Sequence, residues 1–92
     1  MTPEDRRGRG TELCKVLAGH VADIAPNGIG VLDRTWDVVA PADAEFMLVL
    51  IGWEATGGEA DQAKVRAAFD RVLDAWRRAS TLYEQRTSES TS

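Results

Sequence analysis

The two residues with the most reactive side chains are the single cysteine, Cys14, and the single histidine, His20. A thiolate nucleophile needs a base within hydrogen-bond reach and a lowered pKa. Six residues separate the two, and at about 100° per residue one helix would leave their side chains roughly 120° apart, too far for a dyad. We therefore expect Cys14 to be a small half-buried apolar residue and His20 to lie in a core or an interface. The sequence predicts no catalytic residue and no enzyme.

Carboxylates crowd one polar stretch, at Asp33, Asp37, Asp43 and Glu45. Oxygen ligands suit a hard cation, but this stretch lacks the alternating acids, central glycine and distal glutamate of an EF-hand loop. One cysteine and one histidine cannot supply the three or four ligands of an ordinary zinc site. The segment Gly28-Ile29-Gly30 is too short for a dinucleotide-binding fingerprint. We predict neither a metal nor a cofactor.

Arginines give two weak arguments for nucleic acid binding. The run from Arg6 to Gly10 is typical of a basic arm, but the acidic residues around it weaken its electrostatic attraction for phosphates. The Gly57-Gly58 junction suggests a helix-turn-helix, yet its second helix would present Glu59 and Asp61 to the phosphates. A nucleic-acid-associated regulator therefore stays the alternative function. The residues it would use are Arg6, Arg7, Arg9, Arg77 and Arg78.

Three tryptophans are many for a chain of 92 residues, and tryptophan is enriched at the energetic centres of protein interfaces. Trp53 and Trp76 end apolar runs and are expected in the core. One interpretation places all three tryptophans in the core. Of the three, Trp36 is the one expected at the surface, because it lies among Asp33, Arg34, Thr35 and Asp37.

The formal net charge of −4 is unevenly distributed along the chain. Residues 21–63 contain eight acids and one base, Arg34, whereas residues 64–86 contain six bases and three acids. The sequence therefore predicts an acidic middle and a basic last helix, and a partner of the acidic middle would present a basic surface.

Two segments show helical periodicity. Apolar residues recur at spacings of three and four from Thr11 to Ala25 and again over residues 59–85. Pro26-Asn27-Gly28 ends the first segment, and Gly57-Gly58 precedes the last. The stretch from Thr2 to Asp5 is typical of a helix start, with a capping hydroxyl, a proline in the first turn and two acids. Glycines at positions 8 and 10 weaken a continuous helix from there, so residues 1–10 are predicted to be a short turn or a flexible basic arm. Residues 11–86 would form one globular domain, followed by a disordered tail at 87–92.

The middle segment is ambiguous, because the run from Phe46 to Trp53 is apolar on every side. It shares Phe, Val, Leu and Trp with the run from Phe69 to Trp76, which favours a helix over 42–56. We predict a compact all-α domain with helices near 11–25, 42–56 and 59–85, and an irregular or short extended connection between the first two. The alternative is an α-β-β-α fold in which 34–39 and 46–53 form a hairpin.

The composition indicates a cytoplasmic protein. No run reaches the ~18 apolar residues of a membrane span, the N-terminus lacks a secretory signal, and one cysteine suits a reducing compartment.

We expect a small non-catalytic protein-binding module: an adaptor, an inhibitor or an assembly component. The alanine- and arginine-rich composition is typical of a high-GC bacterium or its phages, where such a protein could block a nucleic-acid-binding complex. The predicted partner-binding residues are Asp33, Trp36, Asp37, Asp43 and Glu45.

Overall fold

A computed structural model describes residues 2–26 and 28–91, and within them the chain forms three helices and no strand. These are α1 (Pro3–Ile24), α2 (Gly28–Thr56) and α3 (Glu59–Thr91). The predicted all-α three-helix domain is confirmed. The alternative hairpin is wrong, because 34–39 and 46–53 both lie in α2. Asn27, in the predicted turn after the first helix, lies outside the described residues.

Helix α1 starts earlier than predicted. Thr2 and Asp5 form a capping box, in which the Asp5 amide donates to the Thr2 hydroxyl and the Thr2 amide donates to the Asp5 carboxylate, each at 3.2 Å. Residues 3–10 are therefore helical rather than a turn or a flexible arm. Gly10 does not end the helix. It is buried where α1 approaches Leu50 and Glu54 of α2, at a spot that a larger side chain would crowd.

Helix α2 occupies the stretch predicted to be an irregular or extended connection. Its helical geometry is interrupted at Thr35, with φ −131° and ψ 23°. Pro41 also lies inside α2, and it has no amide hydrogen to donate to the carbonyl of Asp37. The Arg34 carbonyl beside the interruption accepts a hydrogen bond from the Arg86 guanidinium of α3. The predicted irregular connection is thus limited to one buried residue, Thr35. The carbonyl next to it is hydrogen-bonded by a side chain of another helix.

A glycine junction turns the chain from α2 into α3. Gly57 has φ +68°, a left-handed conformation that disfavours any side chain, and its amide donates to the Trp53 carbonyl at 2.7 Å. The Arg6 guanidinium of α1 donates to the Glu54 carbonyl at 2.9 Å. Carbonyls at the end of α2, which lack helical partners, are therefore bonded to the junction and to α1.

The core lies mainly between α2 and α3, which run antiparallel. Val39 and Phe46 of α2 meet Val72 of α3 with almost no exposed surface, and the rings of Phe46 and Phe69 pack edge to face at 6.0 Å. Alanines on α3 allow the two helices to approach closely: Ala68, Ala75 and Ala79. Trp53 and Trp76 are buried, as predicted.

Helix α1 packs on this pair less deeply. Gly10 is its one buried residue in the described part of the chain, and Leu13, Leu17 and Val21 are only partly covered. Its last carbonyls are held by α3, since the Ser80 hydroxyl donates to Ile24 at 3.2 Å. Beyond this end of α1, α3 continues to Thr91, so the backbone stays helical into the predicted tail, whose last residue, Ser92, lies outside the described residues.

Candidate functional site

Helix α2 presents large apolar side chains to solvent along a strip that runs from its edge beside α1 to the side that faces away from the bundle. Trp36 is 51 % exposed, Met47 42 %, Leu48 72 % and Ile51 57 %. We call these four residues the α2 outer face. Trp36 and Met47 lie eleven residues apart, which at about 100° per residue places them on nearly the same side of the helix. Ala40 and Ala44 fill the space between them.

The outer face is exposed because α2 is apolar around its whole circumference. The core needs only the side of α2 that carries Val39, Phe46, Leu50 and Trp53. At about 100° per residue, Ile51 lies roughly 200° around the helix from Trp53, so no helix of this small bundle reaches it. Clustered exposed apolar side chains mark interaction sites far more often than isolated ones do.

The five predicted partner-binding residues do not form one continuous surface. Asp33, Trp36 and Asp37 are exposed around the interruption at Thr35, and the exposure of Trp36 agrees with prediction. Asp43 is half-buried, on the side of α2 that faces α1. Glu45 lies about 180° around α2 from Trp36.

Glu45 belongs to the contact between α2 and α3. Its carboxylate accepts hydrogen bonds from the Arg71 guanidinium of α3, with Arg71 Nε at 2.7 Å and Nη2 closer still. Both side chains remain about half exposed, so the pair is screened by water and contributes little stability. Glu45 therefore faces α3 rather than the outer face.

A second pair of acids lies along the edge of α2 that meets α1. Asp43 and Glu54 are half-buried, and neither carboxylate forms an ion pair with a described residue. Burial, reinforced by the negative charges of Glu54 and Asp43, raises the pKa of the nearby Cys14 thiol. Cys14 is half-buried, as expected, and a raised pKa disfavours the thiolate that a nucleophile requires.

His20 is not in the core. It is exposed on α1 and contacts α3 through an edge-to-face arrangement with Phe69, with ring centroids 6.3 Å apart. Of the two predicted locations the core is wrong, because α1 packs shallowly, and the contact with Phe69 places His20 at the rim of the interface between α1 and α3.

That shallow packing opens a groove between α1 and α3, with a volume of about 410 Å³. Buried Trp53 and Val65 form its floor, and Leu13, Val16 and Phe69 form its apolar walls. Arg9 of α1 and Arg66 of α3 line its mouth, and neither forms an ion pair within residues 2–26 and 28–91. Glu12, also at the rim, lies 3.8 Å from Lys15. We call this feature the α1/α3 groove.

No group of three or more histidine, cysteine, aspartate or glutamate side chains in 2–26 and 28–91 is arranged to hold a metal ion. None of the helices described there combines the length and the apolar character needed to cross a membrane.

Sequence reasoning missed Met47, Leu48 and Ile51, which it assigned to the buried middle. The available signal was the apolar run from Phe46 to Trp53, since a helix at the edge of a small bundle buries only one side. The groove had no comparable signal, because it depends on how deeply α1 packs.

Comparison of the chain with models of known protein families gives no match. Neither the curated proteins nor the solved structures give a match to it.

Proposed function

We propose that this protein is a small non-catalytic protein-binding module that uses the α2 outer face. The observation that carries the proposal is the exposure of Trp36, Met47, Leu48 and Ile51 on one side of one helix. Removing such side chains from water supplies much of the free energy of protein association, and large aromatic residues often dominate it.

The charge around the outer face defines the chemistry of the partner. Residues 35–63 contain six acids and no lysine or arginine. A partner that buries the outer face must therefore offer an apolar recess bordered by lysine or arginine side chains. Opposite charges around such a recess accelerate encounter and reject acidic competitors.

Adaptor, inhibitor and assembly component are all roles of this class. The same surface would suit an inhibitor of a nucleic-acid-binding complex, because its carboxylates would occupy a basic surface that otherwise binds phosphates. A reducing, cytoplasmic location is part of the proposal and rests on the single cysteine.

The alternative, binding of nucleic acid through arginines, has less support. Arg6 is bonded to the Glu54 carbonyl, and Arg77 pairs with Asp74 at 3.2 Å. These contacts compete with phosphate for two of the five arginines that the alternative needs.

The test is affinity capture with the intact chain, followed by binding measurements on the purified captured protein. We expect Leu48→Gln/Ile51→Gln to lose that protein, because glutamine retains helix propensity but removes the apolar contact. The matched control, Ala63→Gln, places the same side chain at an exposed site on α3 and should bind as the unmodified chain does.

Far-UV circular dichroism establishes that each variant is folded. A captured protein that binds the Leu48→Gln/Ile51→Gln variant with unchanged affinity, or that lacks a basic surface, would contradict the proposal.

A further inference from the structure

The α1/α3 groove and the α2 outer face lie on opposite sides of the bundle. Trp53 extends from α2 to the floor of the groove, whereas Ile51 lies roughly 200° away around the same helix. A ligand of one surface therefore leaves the other accessible.

The two surfaces match in size. The groove is lined by α1 from Arg9 to Val16, about 10 Å of helix at 1.5 Å per residue. Met47 to Ile51 spans about 6 Å of α2, so these side chains fit within the groove. Trp36 lies about 17 Å further along the helix axis and would remain outside it.

The two surfaces also match in charge. Arg9 and Arg66 at the mouth of the groove form no ion pair among the described residues, although the charge of Arg9 also acts on Asp5. Asp43 and Glu54, half-buried beside Met47 on the edge of α2 that meets α1, likewise form no ion pair there. Their negative field is felt at Cys14, whose pKa both carboxylates help to raise.

We propose that the α1/α3 groove of one copy receives Met47, Leu48 and Ile51 of a second copy, so that the chains associate head to tail. This inference rests on the proposed function and names a partner for the α2 outer face: the apolar recess bordered by arginines is present on the chain itself. Because the two surfaces differ and face opposite ways, the contact is heterologous and leads to rings or open chains of copies rather than a two-fold dimer.

A symmetric dimer through two α2 outer faces has the opposite electrostatics. It would bring two segments without a lysine or arginine, each spanning 35–63, against one another. The like charges would then repel, which favours the groove as the site that receives the outer face.

Sedimentation velocity of the full chain, from micromolar to millimolar concentration, tests this. The unmodified chain should form a concentration-dependent series of oligomers that shortens at high salt.

Charge reversal in the groove, Arg9→Glu/Arg66→Glu, and polar replacement on the face, Leu48→Gln/Ile51→Gln, should each weaken self-association about tenfold or more. All four side chains are exposed, so both variants should fold, as circular dichroism will verify. Val16→Gln is a second groove variant should the first be unfolded.

Mixing the two variants gives the decisive result. The groove variant keeps an intact face and the face variant keeps an intact groove, so an equimolar mixture should form a one-to-one dimer and nothing larger. Arg77→Glu/Arg78→Glu, a matched charge reversal elsewhere on α3, should associate as the unmodified chain does.

Several results would overturn the inference. They are a monomer at every concentration, a groove variant that still self-associates by itself, and a mixture that stays monomeric. None of these removes the proposed function, which is tested separately by the affinity of the outer-face variants for a captured protein and by the surface charge of that protein.

Discussion

At the residue scale, the burial of a side chain depends on the residues packed around it, and residue type alone does not determine it. The sequence correctly predicts Cys14 as half-buried, because its place at the margin of an apolar stripe is a local property. The location of His20 could not be predicted in the same way, since its exposure depends on the depth at which α1 packs against Phe69.

Cys14 should react slowly with alkylating reagents at neutral pH. Burial and the charges of Glu54 and Asp43 raise its pKa, so less thiolate is present than for an ordinary cysteine. A raised pKa also means that the contribution of the thiol to folding stability is present below its unfolded pKa and is lost as pH rises through the folded one. Iodoacetamide labelling followed by mass spectrometry over a pH series measures the first effect, and urea denaturation over the same pH series measures the second. A rate equal to that in urea would contradict this environment.

Asp5 should titrate at lower pH than an ordinary aspartate. Its carboxylate accepts hydrogen bonds from the Thr2 amide and hydroxyl, and these bonds lower its pKa. The stabilising effect of the charged form is thus present above the unfolded pKa and is lost as pH falls through the folded one. Carboxyl NMR shifts should show that Thr2→Val moves the Asp5 pKa up towards its ordinary value. No change would mean that the capping box is not formed in solution.

At the element scale, helix periodicity predicts α3 and most of α1, because regular apolar spacing requires one buried side. It fails over residues 34–39, where the pattern of polar and apolar residues favours a strand although the chain is helical. Tertiary contacts decide that segment: Thr35 is buried, and Arg86 bonds the carbonyl beside it. Such long-range partners are not visible in a local pattern.

The α2 and α3 pair should depend strongly on Phe46. Its side chain has no exposed surface, so Phe46→Ala should lower the free energy of unfolding by about 3–5 kcal/mol. Phe69→Ala should cost less, because Phe69 is only half-buried. Urea denaturation of both variants compares them directly. Equal losses would show that the α1/α3 groove is closed in solution and Phe69 fully covered.

At the scale of the whole molecule, the bundle extends about 55 Å in one direction and 19 and 16 Å in the others. So thin a bundle buries one side of α2 and leaves the other exposed. An acidic middle and an exposed Trp36 can be predicted from the sequence. The exposure of Met47, Leu48 and Ile51 cannot be predicted from the sequence, because it depends on α2 being an edge helix rather than a central one.

Binding of a protein to the α2 outer face involves apolar contact and long-range attraction by the nearby acids. These two contributions should affect different rate constants. Trp36→Ala and Leu48→Ala should raise the dissociation rate about tenfold or more, since they remove buried contact. Asp37→Asn/Asp43→Asn should lower the association rate, and only at low salt, because long-range attraction acts on encounter.

Surface plasmon resonance of these variants against the purified captured partner is the most direct test. The apolar variants should dissociate faster, and the acidic variants should associate more slowly at low salt. Unchanged kinetics for all of them, or a loss confined to Arg77→Gln/Arg78→Gln, would contradict it.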